Sequence, residues 1–236
     1  MKRLSIAALA IVALAAAGGF YTYWHRAAVA PQVASPAPAP IPAKRLVASV
    51  PDFSLVDQDG QARSLRDWAG KALIVNFWAT WCAPCRKEIP LLQRLQREHA
   101  SDGFQVIGIA VDFREQVLAY ASQMKIDYPL LIGEQEALDA ASAFGVEVVG
   151  LPFTIFSDRQ GRIVTAHMGE LTQAEADLIL GAVRAVDAGQ QTLAQARAAI
   201  ESGTAALPPS AANSPDLNPK TPPTASKLSL SGDIWR

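Results

Sequence analysis

Residues 72–78 read Ala-Leu-Ile-Val-Asn-Phe-Trp, and only Ala79, Thr80 and Trp81 separate that run from Cys82-Ala83-Pro84-Cys85. No other feature of the chain restricts its fold as much. A nearly unbroken apolar run of this length suits a strand buried on both faces of a sheet. From Pro84 to about His99 the pattern becomes amphipathic, with Ile89, Leu92 and Leu95 on one side of an expected helix. The cysteine pair therefore sits where a central strand hands over to a helix. The first turn of a helix presents unpaired amide groups and the positive end of the macrodipole, and both stabilise a thiolate at Cys82. Cysteine pKa falls from about 8.5 to roughly 3.5–7.5 in such surroundings. Pro84 fits the first turn, where its missing N–H costs nothing. Cys82 is thus the expected nucleophile toward a disulfide, and Cys85, one turn along, the thiol that resolves the mixed disulfide.

Other uses of two cysteines are weaker. A zinc site needs two further ligands, but these are the only cysteines and the histidines are scattered at His25, His99 and His167. No metal site is expected. As a structural staple, a four-residue loop contributes only about 2 kcal/mol in the chain-entropy model, against about 3 for fifteen residues. A formal net charge of −1 gives no footing for a nucleic-acid partner.

The rest of the middle of the chain, about 44–188, reads as one folded domain. Phe53–Val56 and Ala62–Leu65 flank Asp59-Gly60, a hairpin signal. Further strands are expected at Phe104–Val111, Tyr128–Ile132, Phe153–Phe156 and Arg162–Met168, and helices at Glu115–Met124 and Glu136–Phe144. Thr172 with Glu175 forms a capping box for a last domain helix through about Val186. Alternating strands and helices predict an α/β fold with parallel crossovers, closed by an antiparallel hairpin at one edge.

Both ends differ from this middle. Lys2 and Arg3 precede a run from Leu4 to Trp24 without a charged side chain, about long enough to span a bilayer. Tyr21, Tyr23 and Trp24 suit an interfacial aromatic belt, so residues 1–26 are expected to be a retained anchor. A cleaved signal peptide is the alternative, since Leu4–Ala17 also fits its shorter apolar region. Either reading exports the domain. Residues 27–43 are Ala- and Pro-rich and read as an extended spacer, 189–202 as a helical extension, and 203–236 as a disordered tail.

The segment Asn76–Pro90, Asn-Phe-Trp-Ala-Thr-Trp-Cys-Ala-Pro-Cys-Arg-Lys-Glu-Ile-Pro, resembles the active-site segment of the membrane-anchored thioredoxin-like proteins of the TlpA/ResA type. The cytochrome c maturation thioredoxins are their close relatives. The resemblance covers roughly 50–186. It implies a thioredoxin fold, a central mixed β-sheet flanked by helices, with an N-terminal β-hairpin and a TlpA/ResA-type insertion over about 112–145. Pro90 matches the family's mid-helix proline. Gly150-Leu151-Pro152 resembles its cis-proline loop, which implies substrate binding at Leu151 and Pro152, with Gly150 permitting close approach. Phe153 departs from the family, which often has threonine after that proline.

Two positions depart from cytoplasmic thioredoxin. Asn76 stands where thioredoxin keeps a buried aspartate, and it cannot titrate. Glu88 stands where this branch keeps a glutamate near the site, a candidate proton acceptor. Trp81 is the expected apolar contact for a partner, while Asn76 and Pro84 support the site. The resemblance implies a membrane-tethered thiol–disulfide oxidoreductase in the periplasm that reduces exported apoproteins, for example in cytochrome c maturation or copper-site assembly. A membrane electron donor would recharge it. No cofactor is expected beyond the redox-active Cys82–Cys85 pair. A net disulfide oxidant and a non-catalytic thiol-based metallochaperone remain the alternatives.

Overall fold

The computed structural model describes residues 46–146 and 150–207. The expected anchor, spacer and most of the tail lie outside the described residues. No helix among the described residues is long and apolar enough to cross a membrane.

The elements run β1 (Ser54–Asp57), β2 (Ala62–Ser64), a 3-10 turn (Leu65–Trp68), β3 (Ala72–Trp78), α1 (Ala83–His99), β4 (Phe104–Val111), α2 (Arg114–Met124), β5 (Leu130–Gly133), α3 (Gln135–Ala143), β6 (Phe153–Ser157), β7 (Ile163–Met168), α4 (Gln173–Asp187) and α5 (Leu193–Ala206). Seven strands form one sheet in the order β2-β1-β5-β4-β3-β6-β7. The three central strands β5, β4 and β3 are parallel. An antiparallel hairpin closes each edge, β1–β2 on one side and β6–β7 on the other. The sequence pattern predicts one such edge. The second arises because β6 joins β3 antiparallel, and the turn at 158–161 carries the chain straight back. Residues 112–145 fold as α2-β5-α3, and β5 enters the sheet between β4 and β1.

All seven residues of β3 are buried, because the sheet is covered on both faces. Ile74 and Trp78 face one core, shared with Ile89, Leu92 and Leu95 of α1, Val117 of α2 and Ile179 and Val183 of α4. Val75 and Phe77 face the other, with Ala137, Ala140 and Ala141 of α3. This period-2 division places Asn76 on the α1 face.

The composition-based boundary at residue 203 is too early. Helix α5 begins at a Thr192–Gln195 capping box and runs through Ala206. A side chain at Gly203 would meet Leu178 of α4 within 2.6 Å, so the glycine permits close helix packing. Arg197 donates hydrogen bonds to the carbonyls of Ile163 and Val164 on the edge strand β7. Ala196 and Ile200 are buried in the α1-side core. Ile200→Ala is expected to lower the unfolding free energy by about 2–5 kcal/mol, read from urea melts. A change below about 0.5 kcal/mol, as at an ordinary surface site, would mean α5 adds nothing to the domain.

Candidate active site

Cys82 is the N-cap residue of α1 and Pro84 stands in the first turn. Cys82 and Cys85 form a disulfide with a Cα–Cα distance of 5.3 Å. Cys82 Sγ accepts a hydrogen bond from Cys85 N at 3.3 Å, so the sulfur occupies the place of a capping oxygen. This amide has no acceptor within the helix, and aimed at Sγ it stabilises negative charge there once the disulfide opens. Cys85 is fully buried, while Cys82 keeps 5% of its surface. Access from outside is therefore to Cys82.

Glu88, one turn beyond Cys85, is 1% exposed. Its Oε1 accepts from Asn76 Nδ2 at 2.7 Å and its Oε2 accepts from the backbone N–H of Leu171 at 2.8 Å. Asn76 Nδ2 also donates to Thr154 Oγ1 at 3.0 Å. Burial drives the Glu88 pKa up to about 7; the bonds from Leu171 and Asn76 oppose that rise and the Glu170 charge adds to it. The cross-strand pairs Asn76–Gly108 and Asn76–Thr154 set this row on the α1 face. Among the described residues, the buried Asn76 Oδ1 has no hydrogen-bond partner. The sequence carries the Asn76 and Glu88 positions; it does not reveal Thr154 or the Leu171 amide, which arrive from β6 and the loop before α4.

The Leu151–Pro152 peptide is cis. The register Phe77–Phe153 sets this loop at the same end of the sheet as the turn that carries Cys82. Leu151 is half-buried and Pro152 buried. Among the described residues, close approach does not explain Gly150, because a side chain there would meet none of them within 4 Å. Phe153 stacks on Phe77 at 4.4 Å between ring centres, so it belongs to the core. Trp81 is 68% exposed beside Cys82, whereas Trp78 is wholly buried.

Asp112 was not among the residues singled out from the sequence. Its Oδ2 accepts from Thr80 N at 3.0 Å and from Thr80 Oγ1, and its Oδ1 accepts from Phe113 N at 2.8 Å. This carboxylate fixes the turn between β3 and Cys82. Its only sequence signal is a polar residue just past the C-terminal end of a buried parallel strand, where sites in open α/β sheets gather.

A family model described as AhpC/TSA matches residues 47–166. The chain is 37% identical over 131 residues to the thioredoxin-like protein YneN of Bacillus subtilis, covering 53% of this chain and 72% of that protein. It is 30% identical over 128 residues to the thiol-disulfide oxidoreductase ResA of Geobacillus thermodenitrificans, covering 54% and 71%. The solved structure of a secreted thiol-disulfide isomerase from Corynebacterium glutamicum superposes with a TM-score of 0.52 at 30% identity, over 58% of this chain and 85% of that one.

Proposed function

Because the chain belongs to the AhpC/TSA family of thioredoxin-like proteins and is a thiol–disulfide oxidoreductase, we propose that it works outside the cytoplasm, tethered to a membrane by residues 1–26, as a reductant of disulfides in exported proteins. The observation that carries this reading is the Cys82–Cys85 disulfide at the start of α1 with buried Glu88 behind it. In the dithiol form the Cys82 thiolate attacks one sulfur of the substrate disulfide. The other substrate sulfur leaves as a thiolate and takes a proton. Cys85 loses its proton, attacks Cys82 Sγ, and frees the second substrate thiol. Residues three apart on a helix share a face, so Glu88 lies on the side of α1 that carries Cys85. Its carboxylate accepts the Cys85 proton, and a pKa of about 7 suits that exchange at neutral pH. A membrane dithiol donor then returns Cys82–Cys85 to the reduced form.

Equilibration of the purified protein with glutathione buffers tests direction. A potential near the thioredoxin value of about −270 mV supports a reductase, and one near about −120 mV assigns a net oxidant. Tight Cu(I) binding with slow thiol exchange would assign the metallochaperone reading instead. Carbonate washing of membranes tests the tether: full-length protein stays in the pellet, whereas a soluble form starting beyond residue 17 means the segment is cleaved.

A further inference from the structure

The parallel strands β3, β4 and β5 end side by side, and Thr80, Asp112 and Glu134 all lie just past those ends. The Asp112 carboxylate binds the backbone N–H of Thr80 and that of Phe113, so one group holds the chain immediately before Trp81 and the chain at Phe113. Asp112 N in turn donates to Gly133 O, which joins the β5 end to the same row. Among the described residues, the exposed large apolar side chains are Trp81 at 68%, Phe113 at 57% and Val56 at 44%. The first two flank the Asp112 link. The third lines a groove of about 370 Å³ that Asp112, Arg114, Glu134 and Glu136 also line. Glu134 and Glu136 are exposed, and the Arg114 guanidinium is engaged with the carbonyls of Asp57 and Gln58. Three carboxylates against one guanidinium leave the groove acidic.

The geometry points to a polypeptide track along this sheet end. It starts at Cys82 and passes over Trp81 and Phe113 to the acidic groove beside Val56. The occupant is an extended segment of the disulfide-bearing substrate, with an apolar or aromatic residue near its reactive cysteine and basic residues farther along. This rests on the redox reading of the Cys82–Cys85 site. Continuity with the reactive sulfur places the segment there, because a substrate cysteine must reach Cys82. Charge complementarity selects the basic residues. Aromatic side chains at the centre of such a contact carry much of its energy, and the charged rim sets encounter and preference.

Two synthetic peptide disulfides test the track. They share an aromatic residue beside one cysteine and differ in carrying two lysines or two glutamates on each side of the disulfide. The readout is kcat/KM for each peptide divided by kcat/KM for a small uncharged disulfide on the same enzyme. The wild type favours the lysine peptide. Phe113→Ala and Phe113→Glu lower the ratio for both peptides by about tenfold, a typical aromatic contact loss. Phe113 has no capping bond to lose, so both variants keep α2. E134K/E136K reverses the preference between the peptides. An unchanged ratio in both Phe113 variants, or an unchanged preference in E134K/E136K, overturns the track. Failure of the wild type to exchange with the small disulfide overturns the redox reading instead, and the track with it.

Discussion

Cys82→Ser abolishes exchange with protein and small disulfides alike, to the uncatalysed background, while Cys85→Ser still reacts but stops at the mixed disulfide. The two sulfurs are bonded to each other, yet their surroundings are unequal. Cys82 caps α1, takes the Cys85 N–H at 3.3 Å and keeps a little exposed surface; Cys85 is sealed. A serine hydroxyl in the same place stays protonated at neutral pH, so no nucleophile remains, and losing a nucleophile costs several orders of magnitude in turnover. With Cys85→Ser the attack still occurs, but nothing displaces the substrate from Cys82. Non-reducing gels and mass spectrometry of partners captured by that variant check the assignment and identify substrates. Alkylation of the reduced wild type at mildly acidic pH labels Cys82 first. Preferential labelling of Cys85, or trapping by Cys82→Ser, reverses the roles. The unfolding midpoint supplies a control. Opening a four-residue loop costs only about 2 kcal/mol, so both variants stay folded if the disulfide is functional.

The central part of the fold was readable because its signals are local. The apolar run 72–78, the cysteine spacing and the amphipathic stretch after Pro84 each bear on one element, and together they specify strand, turn and helix in series. Boundaries of β4 and α4 were legible for the same reason. The α4 start is a side-chain cap, Thr172 with Glu175, which sequence shows directly. What composition hid is tertiary. Residues 189–202 read as a helical extension, but composition gives neither its packing nor its end: α5 runs on through Ala206 because Ala196 and Ile200 find a core and Gly203 lets Leu178 approach. The second antiparallel edge depends on β6 pairing with β3 across 75 or more intervening positions, information no window of sequence contains.

The candidate site divides along the same line. Cys82, Cys85, Trp81 and Pro84 lie within five consecutive residues, and Glu88 follows one turn later, so motif reading finds them. Thr154, the Leu171 amide and Asp112 join the site only through sheet register and loop packing. Gly150 shows the opposite error. A glycine before the proline invites a close-approach explanation, but no described residue comes within 4 Å of a side chain placed there.

Between pH 4 and 8 Glu88 gives the largest expected pH effect on stability among the described residues, and E88Q removes it. The carboxyl titrates near 4.5 in an unfolded chain and about 7 in the fold, so between those values the folded state holds a proton that the unfolded state releases. Stability from this group is full below about pH 4.5, falls as pH rises through the window, and is gone above about pH 7. The shift corresponds to about 3 kcal/mol. In E88Q that slope disappears, and above pH 7 the oxidised variant is more stable than the wild type. The neutral amide can be housed because Asn76 Oδ1 has no partner among the described residues. Reversal of the Asn76 amide turns that oxygen toward the new NH2 group, while the remaining oxygen keeps the Leu171 N–H. The same reversal serves protonated Glu88, so Asn76 donates to the carboxylate and accepts from the acid. Loss of the proton acceptor slows resolution of the mixed disulfide by about 10²-fold while leaving alkylation of Cys82 unchanged. Urea melts of wild type and E88Q from pH 4 to 8, with stopped-flow exchange at pH 7, make the measurement. Parallel stability curves across that range would show that Glu88 does not titrate there, and a resolution rate equal to the wild type would remove it from the proton path.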